Sequence, residues 1–301
     1  MTQKISIGIP TYNNPDGVRH TLECLKNQTY ENLDILISDN SDNMETMDVI
    51  QECMKTDSRI RACHQKGNIG MNNNYLFVFD NTNEDYFIWM PDDDHCEPTY
   101  IEELWKGIEN SSGKITSIIC HMTAITADGE PIDRCEFIQD VIPEFHRYRI
   151  ALYIAGRDTF AYYMRGLHKR SILKKYIDIC ARTKNVVGRD NTMFAEMVLS
   201  EDCCFGFVDK KLYVVNEPKK SNAVKYKGER EGNINRDVFG RLWFFIDLNS
   251  YLLMSKNIPV RRKWVLPFVF VRMGVRTAWF YCIRYPYVLS QVILGKRQVY
   301  Q

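Results

Sequence analysis

The sequence predicts an α/β protein built on a mostly parallel sheet flanked by helices. Short β-branched runs alternate with stretches of helical spacing through residues 1–110, and polar residues gather just after those runs. Strands separated by helices need crossover connections, hence parallel neighbours. Ligands of such sheets bind beyond the carboxyl ends of the strands. A third observation is a carboxy-terminal stretch of helical tendency that is basic and aromatic: after Asp247 there is no Asp or Glu.

Taken in order, Ile5–Ile9 is short, β-branched and closed by Pro10, and Val18, Leu22 and Leu25 give Asp16–Gln28 helical spacing. Leu33–Ser38 is the second strand, Met44–Met54 the next helix, Ile60–Cys63 the third strand, Met71–Phe79 a helix and Tyr86–Met90 the fourth strand. Pro98-Thr99 opens a helix to about Ile108. Beyond it the pattern predicts a strand near Ile115–Thr126, a turn at Asp128-Gly129, helices near Ser171–Thr183 and Asn191–Leu199, and extended chain over Phe205–Val215. Pro218–Asn235, rich in charge, reads as a mobile loop.

The formal net charge of +1, with 45% hydrophobic and 26% charged residues, excludes a nucleic-acid binder and an acidic disordered chain. The ten cysteines form no CxxC pair and no Cys/His zinc spacing, which favours buried reduced thiols in a cytoplasmic protein. MTQKISIGIPTY enters a strand at once, with no room for a signal peptide.

One segment departs from ordinary patterning. FIWMPDDDHCEP places Asp92, Asp93 and Asp94 directly after an apolar strand. Three adjacent carboxylates repel one another, and a divalent cation with oxygen preference, Mn²⁺ or Mg²⁺, would offset that repulsion. The other reading is one helix-capping Asp beside two solvated ones. Thr11-Tyr12-Asn13 after the first strand and Asp39-Asn40 after the second fall on the same sheet edge.

These blocks, ISIGIPTYNNPDGVRHTLECLKNQTYENLDILISDNSDN, GNIGMNNNYLFVF and FIWMPDDDHCEP, resemble the family 2 glycosyltransferases. The likeness is close over residues 4–110 and looser to about 225. It implies a GT-A fold, a Rossmann-like sheet with a helical basic/aromatic carboxy-terminal extension. The implied division is a nucleotide-sugar-binding half at 1–110, an acceptor-binding and catalytic half at 111–235, and a helical region at 236–301. By position, Pro10, Thr11, Tyr12 and Asn13 match the segment packed around base and ribose, and Asp39 and Asp42 match the acids of the next loop. Lys66, Asn68 and Gly70 match the block near the nucleotide. Asp92 would face the ribose or donor sugar, and Asp93 or Asp94 would hold the metal. His95 reads as a residue that supports the ligands from behind or starts the helix, rather than as a ligand itself. Asp190 in VGRDNTMF matches the place of the catalytic base, although an N-cap role fits it too, and Arg189 stands where the family usually has Glu.

What the resemblance implies is an inverting transferase that moves one sugar from a nucleoside-diphosphate donor to a glycan or lipid-linked acceptor, in cell-surface polysaccharide biosynthesis. A non-catalytic nucleotide-sugar-binding protein is the alternative. A sugar-nucleotide pyrophosphorylase is disfavoured, because TYNNPD is not a Gly-rich phosphate loop. Residues 256–297 combine Trp, Phe and Tyr with basic side chains but contain no uninterrupted apolar run of about 20 residues. They suit a helix lying on the cytoplasmic membrane face, with a core or dimer contact as the other reading. Oligomeric state is not legible.

Overall fold

The first strand, β1 (Ile5–Thr11), is buried along its whole length, as befits a strand covered by helices on both faces. It pairs in parallel with β2 (Leu33–Asp39) and, on its other edge, with β4 (Tyr86–Trp89); β2 pairs in parallel with β3 (Ile60–His64). Register sets Thr11 opposite Asp39 and Asp39 opposite His64. The polar ends of three strands therefore stand in one row. This computed structural model describes residues 2–125, 131–133, 160–177, 189–216, 246, 248–279 and 282–283.

Four helices connect and flank these strands. Helix α1 (Pro15–Lys26) begins where its sequence says it should: Asn14 accepts a hydrogen bond from the Gly17 N–H, and Pro15 fills the first position, where no N–H is needed. Its apolar stripe of Val18, Leu22 and Leu25 is buried. Helices α2 (Glu45–Met54), α3 (Met71–Asp80) and α4 (Tyr100–Asn110) follow, and α4 buries Ile101, Leu104 and Ile108. Gln28 is buried between α1 and α4, but its amide donates to Glu97 O at 2.8 Å and accepts from Ile101 N at 3.1 Å. A buried amide so satisfied costs little.

Beyond β4 the sheet changes character. Among the described residues the strand order is β3-β2-β1-β4-β8-β6-β9-β5, with β7 on β6. Here β5 is His95–Cys96, β6 Ser117–Ile125, β7 Pro131–Asp133, β8 Leu167–Lys169 and β9 Phe205–Asn216. Strand β8 runs antiparallel between β4 and β6, whereas β6 and β9 are parallel. Both halves of the chain thus share one sheet.

Three short strands, β5, β7 and β8, were not legible. β8 is three residues long, too short to show a period of two, and β5 is two. His95 does not start a helix: it pairs with Val214 in β5, and α4 begins only at Tyr100, after Pro98. Helix α5 (Arg170–Ile177) and helix α6 (Arg189–Leu199) lie near their expected places. The turn at 128–129, the charged loop at 218–235 and residues 284–301 of the tail lie outside the described residues.

The carboxy-terminal segment is docked through polar groups. Glu196 on α6, 1% exposed, accepts hydrogen bonds from Tyr251 Oη at 2.8 Å, Asn257 Nδ2 at 2.9 Å and Ser255 Oγ. Buried Arg262 caps the end of the same helix by donating to the carbonyls of Leu199 and Ser200. Arg261 reaches Glu201 at 2.7 Å, and Lys263 Nζ donates to Leu253 O and Ser255 O. The run Arg261-Arg262-Lys263 is therefore spent on docking. Helix α7 (Leu266–Trp279) follows, burying Leu266 and Val269 while exposing Phe268, Val271, Val275 and Trp279. Replacing Glu196 by Ala orphans buried donors at about 1–3 kcal/mol in all. The expected result is a lower urea midpoint with full-length Glu196→Ala, and a smaller drop with Glu196→Gln.

Candidate active site

The acidic loop sits where the parallel half meets the mixed half, and its three carboxylates have three different environments. Asp94 is fully buried. Its Oδ2 is ion-paired with Arg165 Nε and accepts from Tyr213 Oη at 3.1 Å, while its Oδ1 accepts from Asn216 N at 3.3 Å. Burying two opposite charges is tolerable when the pair is close and further hydrogen bonds complete the shell. Burial works against the Arg165 charge, but the attraction of Asp94 outweighs it and holds the guanidinium protonated above the ordinary arginine range. Asp92 is buried too and accepts from Thr11 Oγ1 at 2.5 Å; burial pushes its carboxyl up to about 6.

Asp93 differs from both neighbours. No side-chain donor among the described residues reaches its carboxylate, whereas its backbone carbonyl is held by Asn216 Nδ2 at 2.6 Å. Burial and then the charges of Asp94 and Asp92 push it up to about 7, against the opposing pull of Arg165. A half-buried carboxylate with unused lone pairs beside two further acids is a hard oxygen donor. It fits Mn²⁺ or Mg²⁺.

Close packing positions this loop. A Cβ on Gly17 would lie 2.3 Å from Asp92 O and 2.2 Å from Asn14 Nδ2, so only glycine lets the first turn of α1 approach Asp92. Asn14 Nδ2 donates to that same carbonyl at 3.3 Å.

The loops after β1, β2 and β3 interlock. Asn13 sits at φ 47°, a region Asn tolerates better than most residues. It donates from Nδ2 to Asp42 Oδ2 at 2.9 Å and accepts from Asp42 N at 3.1 Å. Tyr12 Oη also donates to Asp42, at 2.7 Å, and these two bonds hold the exposed Asp42 carboxyl below its usual value. Asp39 is fully buried; its Oδ1 accepts from Ser41 N and Oγ, and its Oδ2 lies 2.8 Å from His64 Nδ1. Asn68 Oδ1 accepts from Asn40 Nδ2 and from Gly70 N, both at 2.8 Å. Gly70 caps α3 at φ 82°, which favours glycine. Lys66 is exposed beside them, and Pro10 is buried in β1.

The structure thus brings Pro10, Thr11, Tyr12, Asn13, Asp39, Asp42, Asp92, Asp93 and Asp94 to one sheet edge, with Lys66, Asn68 and Gly70 on the adjoining loop. Asp190 is the second residue of α6, and α6 packs against the 3₁₀ turn 160–165 that delivers Arg165. Sequence reasoning missed Arg165, His64, Tyr213 and Asn216. Each acts on an acid far away in the chain, and none belongs to a local motif.

With this geometry in view, comparison with known proteins is decisive. Residues 6–177, more than half of the chain, match the family described as Glycosyl transferase family 2. The chain belongs to that family. Among curated relatives, a putative glycosyltransferase EpsH of Bacillus subtilis is 26% identical over 133 residues, which is 44% of this chain and 38% of that protein. The Campylobacter jejuni GalNAc(5)-diNAcBac-PP-undecaprenol beta-1,3-glucosyltransferase is 28% identical over 92 residues, 30% of each chain. These matches thus span well under half the length of the curated relatives. Among solved structures, Staphylococcus aureus TarS 1-349 in complex with UDP-GlcNAc superposes with a TM-score of 0.67 at 12% identity, covering 93% of this chain and 76% of TarS. The mannosyltransferase PcManGT of Pyrobaculum calidifontis, in complex with GDP-Man and Mn²⁺, gives 0.51 at 12% identity, covering 99% and 82%. The fold is that of GT-A glycosyltransferases.

The raised carboxyls give this site a signed pH dependence. Asp93 holds its proton more tightly folded than unfolded, so its ionisation destabilises the metal-free chain, fully above pH 7 and less as pH falls towards 4. Asp93→Asn should raise Tm at pH 8 by about 2–4 °C, with the gain shrinking by pH 5. Differential scanning fluorimetry without divalent cations checks both the sign and the trend.

Proposed function

We propose that this family 2 glycosyltransferase moves one sugar from a nucleoside-diphosphate donor to a hydroxyl of a glycan or lipid-linked acceptor, with inversion, in cell-surface polysaccharide biosynthesis. The observation that carries the reading is the unequal treatment of the three acids. Asp92 and Asp94 are occupied by protein groups, which leaves Asp93 as the carboxylate free to take Mn²⁺ or Mg²⁺. Asp93 would hold the cation, which when bound would supply Lewis-acid stabilisation of the leaving diphosphate. Asp94 then acts as the rigid anchor of the loop.

The chain's own residues supply the rest. Pro10, Thr11, Tyr12, Asn13, Asp39 and Asp42 receive base and ribose, with Asp92 on the ribose or sugar side, and Lys66, Asn68 and Gly70 lie beside the nucleotide. Asp190, in the first turn of α6, takes the proton of the attacking hydroxyl, and the attack proceeds as a single displacement. Support comes from the solved neighbours that hold UDP-GlcNAc, or GDP-Man with Mn²⁺. The PP-undecaprenol glycan in the Campylobacter relative's name supports a lipid-linked acceptor.

A thermal-shift screen of UDP-, GDP-, CDP- and dTDP-sugars with and without Mn²⁺ tests the site. One donor should stabilise the chain only with metal, and Asp93→Asn should abolish that response; silence towards every donor would sink the proposal. With the responding donor, Asp190→Asn should lower kcat by about 10²–10⁴-fold while leaving donor stabilisation intact. Unchanged turnover would remove Asp190, and no turnover in the parent chain would favour a non-catalytic binding protein.

Membrane-surface association at the cytoplasmic face belongs to the same proposal. Among the described residues no helix is long and apolar enough to cross a membrane. The exposed row Phe268, Val271, Arg272, Val275 and Trp279 follows helical spacing along α7, with Trp264 also exposed. Such a face suits shallow insertion beside anionic lipid. Full-length protein should pellet with phosphatidylglycerol vesicles at low salt and be reduced in the pellet by Phe268→Glu. Absence from the pellet, with a dimer in its place, would mark α7 as a contact between copies.

A further inference from the structure

Outside the acidic loop, one cluster of side chains has no role in the proposed transfer. His20 and Cys24 stand one turn apart on α1, and His95 reaches them from β5 across the sequence. His20 Nε2 lies 2.9 Å from His95 Nδ1, Cys24 Sγ lies 3.1 Å from the same atom, and the three potential ligand atoms all fall within 4.8 Å of one another. The two rings stack at 5.0 Å between centroids.

Hydrogen bonding alone satisfies this arrangement poorly. An imidazole nitrogen has a single in-plane position, either a lone pair or an N–H, and His95 Nδ1 is approached there by two partners. A cation among the three atoms would be shared by all of them.

We propose that His20, Cys24 and His95 form a Zn²⁺ site, distinct from the hard-cation site of Asp93. Two imidazoles and a thiolate suit zinc and are poorly matched to Mg²⁺ or Mn²⁺. In a tetrahedral zinc site, bond lengths of about 2.0–2.3 Å put donor atoms roughly 3.3–3.6 Å apart. The two spacings at His95 Nδ1, 2.9 and 3.1 Å, are a few tenths of an ångström shorter than that, and the His20 and Cys24 atoms lie within 4.8 Å of each other, so small side-chain rotations would open the three to zinc distances. The surroundings fit as well. Cys24 is buried, His95 half-buried and His20 exposed, so a metal can arrive from solvent and keep a water as fourth ligand.

Position gives the site its consequence. His95 directly follows the acidic loop, and Thr21, between the two helical ligands, donates to Asp94 O at 3.4 Å. Zinc would clamp α1, whose Asn14 holds Asp92 O, to the strand leaving that loop. The clamp is structural and stands whether or not sugar transfer is the reaction.

Cobalt(II), added to chelator-stripped full-length protein, reports the ligands directly. One equivalent should give visible bands of tetrahedral intensity and a near-ultraviolet thiolate-to-cobalt band. Zinc should displace it and excess Mg²⁺ should not. His20→Gln, a change at an exposed position, and Cys24→Ser should each weaken binding by about a hundredfold or more, Cys24→Ser also removing the thiolate band. Asp93→Asn should leave the spectrum unchanged, so failure of the oxygen site and failure of this one are separable. A missing thiolate band, or one that survives both variants, would overturn the assignment.

Discussion

The ion pair between Arg165 and Asp94 is the constraint on which the site depends. Three successive carboxylates at a buried strand end would repel one another and draw in water. One of them is instead neutralised by a largely buried guanidinium and completed by Tyr213 and Asn216. With Asp94 fixed, the loop has a defined path, so Asp92 meets Thr11 and Asp93 keeps its lone pairs. Coulomb attraction in a low-dielectric setting does this work, and the two extra hydrogen bonds make the burial tolerable.

A second level of organisation follows from sheet register. Because β1, β2 and β3 are parallel and in step, Thr11, Asp39 and His64 stand side by side without any loop having to reach. The loops then brace one another through Asn13 with Asp42 and Asn40 with Asn68. A ligand meeting this edge encounters groups already in place, which reduces the ordering cost of binding.

Much of this was legible in the sequence, for identifiable reasons. β1 to β4 read clearly because short β-branched or apolar runs alternate with stretches of helical spacing, a pattern that acts locally. The acidic loop stood out because three adjacent carboxylates follow an apolar strand, although a helix cap beside two solvated acids fitted the same run. The unequal roles of Asp92, Asp93 and Asp94 could not be read, since they are set by Thr11, Arg165 and Asn216, each many residues distant. Of the two readings of His95, the helix start fails because its backbone is claimed by Val214 in a strand pairing that Pro98 gave no sign of. The absence of a Cys/His spacing hid the convergence of His20 and Cys24 with His95, because the third side chain comes from another element. Of Arg261, Arg262 and Lys263, sequence showed only charge; the structure shows docking contacts.

The sources of the Asp94 shell also bear on how the chain acquires its structure. Its ligands come from the turn before β8 and from the end of β9, so the acidic loop is finished only by segments made late. A ribosome that has released residues 1–110 has not yet released the groups that neutralise the fully buried Asp94. Pairing of β8 with β4 brings the Arg165 turn to Asp94, so the acidic loop has its full set of partners only when the parallel and mixed parts of the sheet have joined.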